Sequence, residues 1–138
     1  HLYYISKSAM GNKIKKVVIC ASGVFIREAE QWQKKLEKNN YAVIKIPKRL
    51  KGDYVKIHRL HYKKIAESDI LFVMNLDRSG AKNYIGPSVF AEMAFAIGLN
   101  LVVGKRIKVF CLNPLPKNLP YSTELLLWEK IGWLKRWK

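Results

Sequence analysis

Acidic residues are scarce in this chain, with 10 Asp and Glu against 26 Lys and Arg in 138 residues and a formal net charge of +16. Such a balance favours an anionic partner: nucleic acid, nucleotide phosphates or an acidic surface. The charge does not choose among them, since lysines spread over 34–64 and 130–138 also suit the solvated faces of amphipathic helices. Cysteine is nearly absent. Cys20 and Cys111 each lie in an apolar run that reads as a strand, and neither has a second cysteine or a histidine at metal-ligand spacing. No disulfide framework or metal centre is expected, and no cofactor, which fits a reduced, cytoplasmic protein. Long apolar runs are also missing. Residues 1–16 lack the core and cleavage site of a secretory signal. The apolar stretch 87–103 is interrupted by Glu92 and Asn100 and bounded by Pro87 and Gly104, which argues against a membrane span.

Several motifs are absent as well. No Gly-Lys-Ser/Thr follows the first strand, as a Walker loop requires, and the three spaced glycines of a dinucleotide fingerprint are missing. There is no Gly-x-Ser-x-Gly elbow and no cysteine–histidine pair recognisable as a nucleophilic couple. His58 and His61 are spaced three apart on a predicted helix, but the sequence suggests no carboxylate or cysteine partner, so they read as surface and core residues. Internal repeats and low-complexity tracts are lacking.

What remains is a chain with 49% hydrophobic and 12% aromatic residues, enough to fill one globular core. Residues 14–138 read as a single domain. Residues 1–13 read as an N-terminal extension without assigned function, part of which can derive from an expression vector.

Strand-like and helix-like patterns alternate. Lys16–Ala21 is a β-branched run that gives way to Ser22-Gly23, and from Arg27 the period becomes helical with Ala29, Trp32 and Leu36 on one face. Asn39-Asn40 ends that helix, and Tyr41–Ile46 supplies a second strand. A second helix is predicted from an Asp53 N-cap to about Ser68, burying Tyr54, Ile57, His61 and Ile65. Asp69–Asn75 is a third strand. The polar loop Leu76–Tyr84 then leads to a helix beginning at Pro87 and stopping at Gly104. Arg106–Leu112 is a fourth strand, and a last helix starts near Ser122, after which Ile131–Leu134 either forms an edge strand or continues the helix. The alternation predicts an α/β fold: a flavodoxin/Rossmann-like, doubly wound, mostly parallel sheet of four or five strands with helices on both faces. Ligands of such sheets bind at the carboxyl ends of the strands, beside a topological switch point.

Between Asn83 and Gly104 the one charged residue is Glu92, and its helix is apolar almost all round, which predicts a buried helix. A carboxylate there needs donors or a cavity, because an unpaired buried charge is costly by several kcal/mol. Two readings follow: a structural ion pair with a Lys or Arg, or a reactive carboxylate facing the strand-end crevice. Asp77 lies just past the third strand, at the same crevice, and two carboxylates on converging elements can divide the labour of glycosyl chemistry. Ser22-Gly23 offers backbone N–H groups and a hydroxyl for a phosphate or a sugar, and Arg27 adds charge. Phe25 can stack on a base or close the core.

These segments resemble the nucleoside 2-deoxyribosyltransferase family and its relatives that hydrolyse nucleoside 5′-monophosphates. The resemblance covers about Lys16 to Pro116. It rests on Ala21-Ser22-Gly23-Val24-Phe25, on the run from Ser68 through Asn75 to Asp77, on the run from Tyr84 through Gly86, Ser88 and Glu92 to Ala96, and on Cys111-Leu112-Asn113-Pro114. It implies that Glu92 attacks the anomeric carbon and that Asp77 assists the leaving base. Ser22, Gly23, Phe25, Arg27, Asn75, Tyr84, Gly86 and Ser88 are then the substrate-contacting candidates, with Ser22 and Ser88 suited to a 5′-phosphate or sugar hydroxyl. Many transferases carry an aspartate six residues before the glutamate, where this chain has Gly86, and this departure favours hydrolysis over base transfer. The resemblance further implies a homodimer or larger assembly in which a neighbouring subunit completes each pocket. Two alternatives are a non-catalytic nucleotide- or nucleic-acid-binding domain of the same fold and a glycohydrolase acting on a dinucleotide such as NAD.

Overall fold

The computed structural model describes residues 13–44 and 53–138. Five strands form one sheet: β1 Lys16–Cys20, β2 Ala42–Val43, β3 Ile70–Val73, β4 Lys108–Cys111 and β5 Lys135–Arg136. Their order is β2-β1-β3-β4-β5 and every pairing is parallel. This is the doubly wound arrangement expected from the alternation, and the chain reverses its direction of travel across the sheet between β1 and β3. Four helices connect the strands: α1 Ile26–Lys38, α2 Tyr54–Glu67, α3 Pro87–Val103 and α4 Ser122–Ile131.

Side-chain alternation along the strands separates two cores. Val18 and Cys20 of β1, Leu71 and Val73 of β3, and Val109 and Cys111 of β4 face one layer with Ile65, Met93, Ala96, Leu125 and Trp128 from α2, α3 and α4. Val17, Ile70 and Phe72 face the other, packing with Leu36 of α1 and partly buried Trp32, Tyr41 and Trp137. The period of two thus aims Cys20, the last residue of β1, at the α2–α3 layer.

Local signals account for the helix ends. Asp53 caps α2 by accepting a hydrogen bond from the Lys56 N–H at 2.9 Å. Pro87 occupies the first turn of α3, and Gly104 ends it with φ 72°, the left-handed conformation that favours glycine. Other expectations need correction. A short 3-10 turn, Gly23–Phe25, precedes α1. Tyr54 is 73% exposed rather than buried, and Ile57 and His61 are only partly buried. Ile131 closes α4, Gly132 caps it at φ 93°, and the edge strand comes later, at Lys135–Arg136. Within the second-strand segment only Ala42–Val43 pairs, and Lys45 and Ile46 lie outside the described residues. The α3 helix is not covered all round: Leu101, Val102 and Val103 in its last turn are exposed.

The carboxyl ends of β3 and β4 are fastened by a reciprocal pair of asparagines. Asn75, fully buried, donates through Nδ2 to the carbonyls of Asn113 (2.9 Å) and Pro114 (3.0 Å) and accepts from the Asn113 N–H at 2.9 Å. Asn113 returns a bond from its own Nδ2 to the Asn75 carbonyl at 3.0 Å. Truncating Asn75 strands buried backbone groups that water cannot easily reach. Asn75→Ala is therefore expected to lower stability by about 3 kcal/mol in urea unfolding; a loss under about 0.5 kcal/mol would show that solvent replaces the lock.

Candidate functional site

Three elements meet over the carboxyl end of β1. Cys20 reaches the α2–α3 layer by strand alternation. His61 lies one turn before the core residue Ile65, so the same face of α2 carries both. Glu92 shares its face of α3 with Val89, Met93 and Ala96, all buried. The consequence is a cluster that spacing in the sequence does not reveal: Cys20 Sγ, His61 Nε2 and a Glu92 carboxylate oxygen lie within 4.8 Å of one another. His61 Nε2 is 3.2 Å from Glu92 Oε2 and 3.6 Å from Cys20 Sγ. The expectation that His61 has neither a carboxylate nor a cysteine partner is thereby overturned; the fold, not the helix spacing, supplies both.

Glu92 is 8% exposed. Among the described residues its ion-pair partner is this histidine, not a lysine or arginine. Nor does it stand alone, since the Cys20 Sγ lies within 4.8 Å of its carboxylate oxygen. Burial, then the charge of Glu92, then hydrogen bonding with it push the Cys20 thiol well above its usual range. Tyr62, stacked on Phe95 at 4.6 Å across the α2–α3 seam, is raised first by burial and next by Glu92. The carboxylate thus sits among a thiol, an imidazole and a phenol, none carrying a permanent positive charge.

A second constellation lies on the loops after β1 and β3. Arg78 donates through Nη1 to the Ser22 hydroxyl, which ties the two loops flanking the switch point. Its guanidinium also lies 5.8 Å from the centroid of the Tyr84 ring. Asp77, exposed, accepts the Asn83 N–H on Oδ1 at 2.8 Å and so shapes its own loop. Gly23 has open space where a side chain would project, with no atom within 4 Å of an added Cβ. Gly86 is the N-cap of α3, and the Tyr84 ring rests against it, 3.4 Å from where a Cβ would stand. Ser88 and Arg27 are exposed on the first turns of α3 and α1, and Phe25 is partly buried in the 3-10 turn. The amide of Asn75 is engaged by the Asn113-Pro114 backbone. The sequence reading missed Arg78 and His61. Arg78 is adjacent to Asp77 in a loop already singled out, and its charge was the available signal; His61 offered none, because its partners are 41 and 31 positions away in the chain.

Beneath α3's first turn, the Tyr121 hydroxyl donates to the Ile85 carbonyl, and Phe90 stacks on Tyr121 at 4.6 Å and on Trp128 at 5.1 Å. These contacts from α4 fix the helix start and hence the height of Glu92.

By sequence, neither a protein-family model nor a curated protein matches the chain. By structure, it is similar to a 2-desoxiribosyltransferase from Leishmania mexicana, with 13% identity, a TM-score of 0.53, and coverage of 73% of this chain and 68% of that one. It is also similar to the CMP N-glycosidase of Clostridium botulinum, with 15% identity, a TM-score of 0.57, and coverage of 89% of this chain and 87% of that one. The chain shares its fold with these two proteins.

The two cysteines provide a direct check on the packing around the site. Both are about 1% exposed, and burial, with Glu129 adding and Arg136 opposing, pushes Cys111 up to about 12. In the native protein neither thiol is expected to react with Ellman's reagent at about pH 8, and both should react after unfolding. Rapid native labelling of Cys20 would contradict the described burial of the cluster.

Proposed function

We propose that the protein cleaves the N-glycosidic bond of a nucleoside 5′-monophosphate or nucleoside, with Glu92 as the nucleophile. One observation carries this reading: a buried carboxylate at the switch point of a doubly wound sheet, beside an imidazole and a thiol and, among the described residues, not paired with a lysine or arginine. An arginine partner would stabilise the charge and blunt its attack; hydrogen-bond donors orient it without that permanent opposing charge. The two structurally similar proteins are named for glycosyl transfer and N-glycosidic cleavage, which supports the same class of chemistry.

In this reading an oxygen of Glu92 bonds to the anomeric carbon as the carbon–nitrogen bond breaks, and the electron pair leaves with the base nitrogen. Asp77 assists departure through Oδ2, relaying a proton from solvent water to the base nitrogen, since Oδ1 is held by the Asn83 N–H. Water then cleaves the glycosyl ester, its hydroxyl going to the anomeric carbon and its proton returning to solvent through Asp77, which releases the sugar and restores the Glu92 carboxylate; a second base in place of water gives transfer. His61 acts as a positioning residue: with a proton on Nε2 it donates to Oε2 and fixes the carboxylate's direction. The 5′-phosphate is received by the Ser22-Gly23 backbone beside Arg78, with Ser88 and Arg27 as further contacts; the open space over Gly23 admits the close approach this requires. Phe25 and Tyr84 offer flat faces for the base.

The test is incubation with a panel of nucleosides and 5′-monophosphates and chromatography for free base. Release is expected and should be abolished, by orders of magnitude, in Glu92→Ala and Glu92→Gln. Neither variant should lose more than about 1 kcal/mol of stability, because His61 and Cys20 can both stand neutral without their acceptor. A destabilised variant that still releases base would show that Glu92 is structural. Absence of release from every compound, with steeply salt-dependent binding of polyanions, would favour a nucleic-acid-binding domain instead.

The phosphate assignment has its own check. Arg78→Gln should raise KM for a 5′-monophosphate by about 10- to 100-fold, the worth of a charge-assisted hydrogen bond, while the parent nucleoside is turned over nearly as before. Equal losses on both substrates would place Arg78 in loop architecture and not in phosphate binding.

A further inference from the structure

The cluster around Glu92 fits a second kind of chemistry. Cysteine, histidine and glutamate from three different elements is a ligand set suited to a thiophilic divalent cation, and the geometry can be compared with one. Bonds of about 2.3 Å to sulfur and about 2.0–2.2 Å to nitrogen and oxygen, arranged tetrahedrally, give ligand–ligand edges of about 3.6 Å for S···N and about 3.4 Å for N···O. The distances are 3.6 Å for Cys20 Sγ to His61 Nε2 and 3.2 Å for His61 Nε2 to Glu92 Oε2, with all three ligand atoms inside 4.8 Å. Two of the three edges thus stand at nearly the separations a tetrahedral ion demands, and the third, sulfur to carboxylate oxygen, lies within 4.8 Å against the roughly 3.6 Å needed, a gap that a small rotation of the Glu92 side chain can close.

The surroundings fit as well. Cys20 is sealed at the floor, while the side chains of His61 and Glu92 keep 20% and 11% of their surface, so an ion can arrive from one side and keep a fourth position open to water. Three protein ligands and one open position is the count that zinc adopts at non-structural sites. Among the described residues, no lysine or arginine is ion-paired to Glu92 to oppose a divalent charge.

We propose that Cys20, His61 and Glu92 form a zinc-class metal site, and that loading it takes Glu92 out of glycosyl chemistry. On binding, the Cys20 sulfur–hydrogen bond is broken, its proton goes to solvent, and the thiolate, the imidazole Nε2 and one carboxylate oxygen bond to the ion; no electron is transferred. A carboxylate bonded to zinc has its lone pair and charge engaged and cannot attack an anomeric carbon, so the metal acts as a reversible brake. This second half rests on the glycosidase reading; the metal site itself does not.

The experiment separates the two. Full-length protein, treated with chelator and then freed of it, is titrated with Co²⁺ and read by absorbance, and with Zn²⁺ by calorimetry. The expected result is one saturable equivalent with a thiolate-to-cobalt charge-transfer band and the visible bands of tetrahedral cobalt, displaced by Zn²⁺. Cys20→Ser should remove the charge-transfer band, and both Cys20→Ser and His61→Ala should weaken Zn²⁺ binding by more than about 10-fold. His58→Ala, one turn away and outside the cluster, should bind as the parent does. Thermal melts establish that each variant is folded; if Cys20→Ser does not fold, His61→Ala and Glu92→Gln carry the comparison. Absence of saturable binding, binding without the thiolate band, or binding that survives loss of His61 overturns the site, whether or not the protein releases base. If base release is observed, Zn²⁺ should suppress it and chelator restore it; full activity with the site loaded overturns the brake and leaves the metal site standing.

Discussion

A carboxylate buried in an apolar helix imposes the constraint from which the rest of the site follows. A carboxylate at 8% exposure needs polar neighbours, and the fold supplies His61 Nε2 at 3.2 Å and the Cys20 thiol within 4.8 Å. Those partners arrive because β1 alternates its side chains and because α2 and α3 pack side by side over its carboxyl end. Moving any of the three elements by one residue would turn a polar donor away and strand the charge.

The scaffold below the cluster is densely bonded. The Asn75–Asn113 exchange locks the strand ends from which the loops depart, and the Phe90, Tyr121 and Trp128 stack seats the start of α3. The loops above carry the chemistry-bearing polar groups, joined across the switch point by the Arg78–Ser22 bond. A rigid sheet edge that presents adaptable loops is the usual division of labour in doubly wound folds.

The fold was legible because its signals are local and agree with one another: β-branched runs of strand length, the Asp53 cap, Pro87 at a helix start and Gly104 at its end. Glu92 was legible for the same reason, as a single charge in an apolar period. Its partners were not. His61 and Cys20 are ordinary residues in their own segments, and only the packing of helices over a particular strand face makes them a cluster. The error over Tyr54 has a similar origin, since periodicity gives the apolar face of a helix but not which of its turns other elements cover. The placement of the last strand turned on Gly132, whose left-handed cap shifts the chain past Leu134 before it can pair.

The central claim is that the Glu92 carboxylate itself becomes bonded to the sugar. The most direct measurement is intact-mass analysis of protein quenched in acid seconds after mixing with nucleoside 5′-monophosphates, followed by peptide mapping of any adduct. The account predicts a glycosyl ester on the peptide containing Glu92, absent in Glu92→Gln. Base release with no adduct on that peptide, or an adduct carried by another residue, would contradict it.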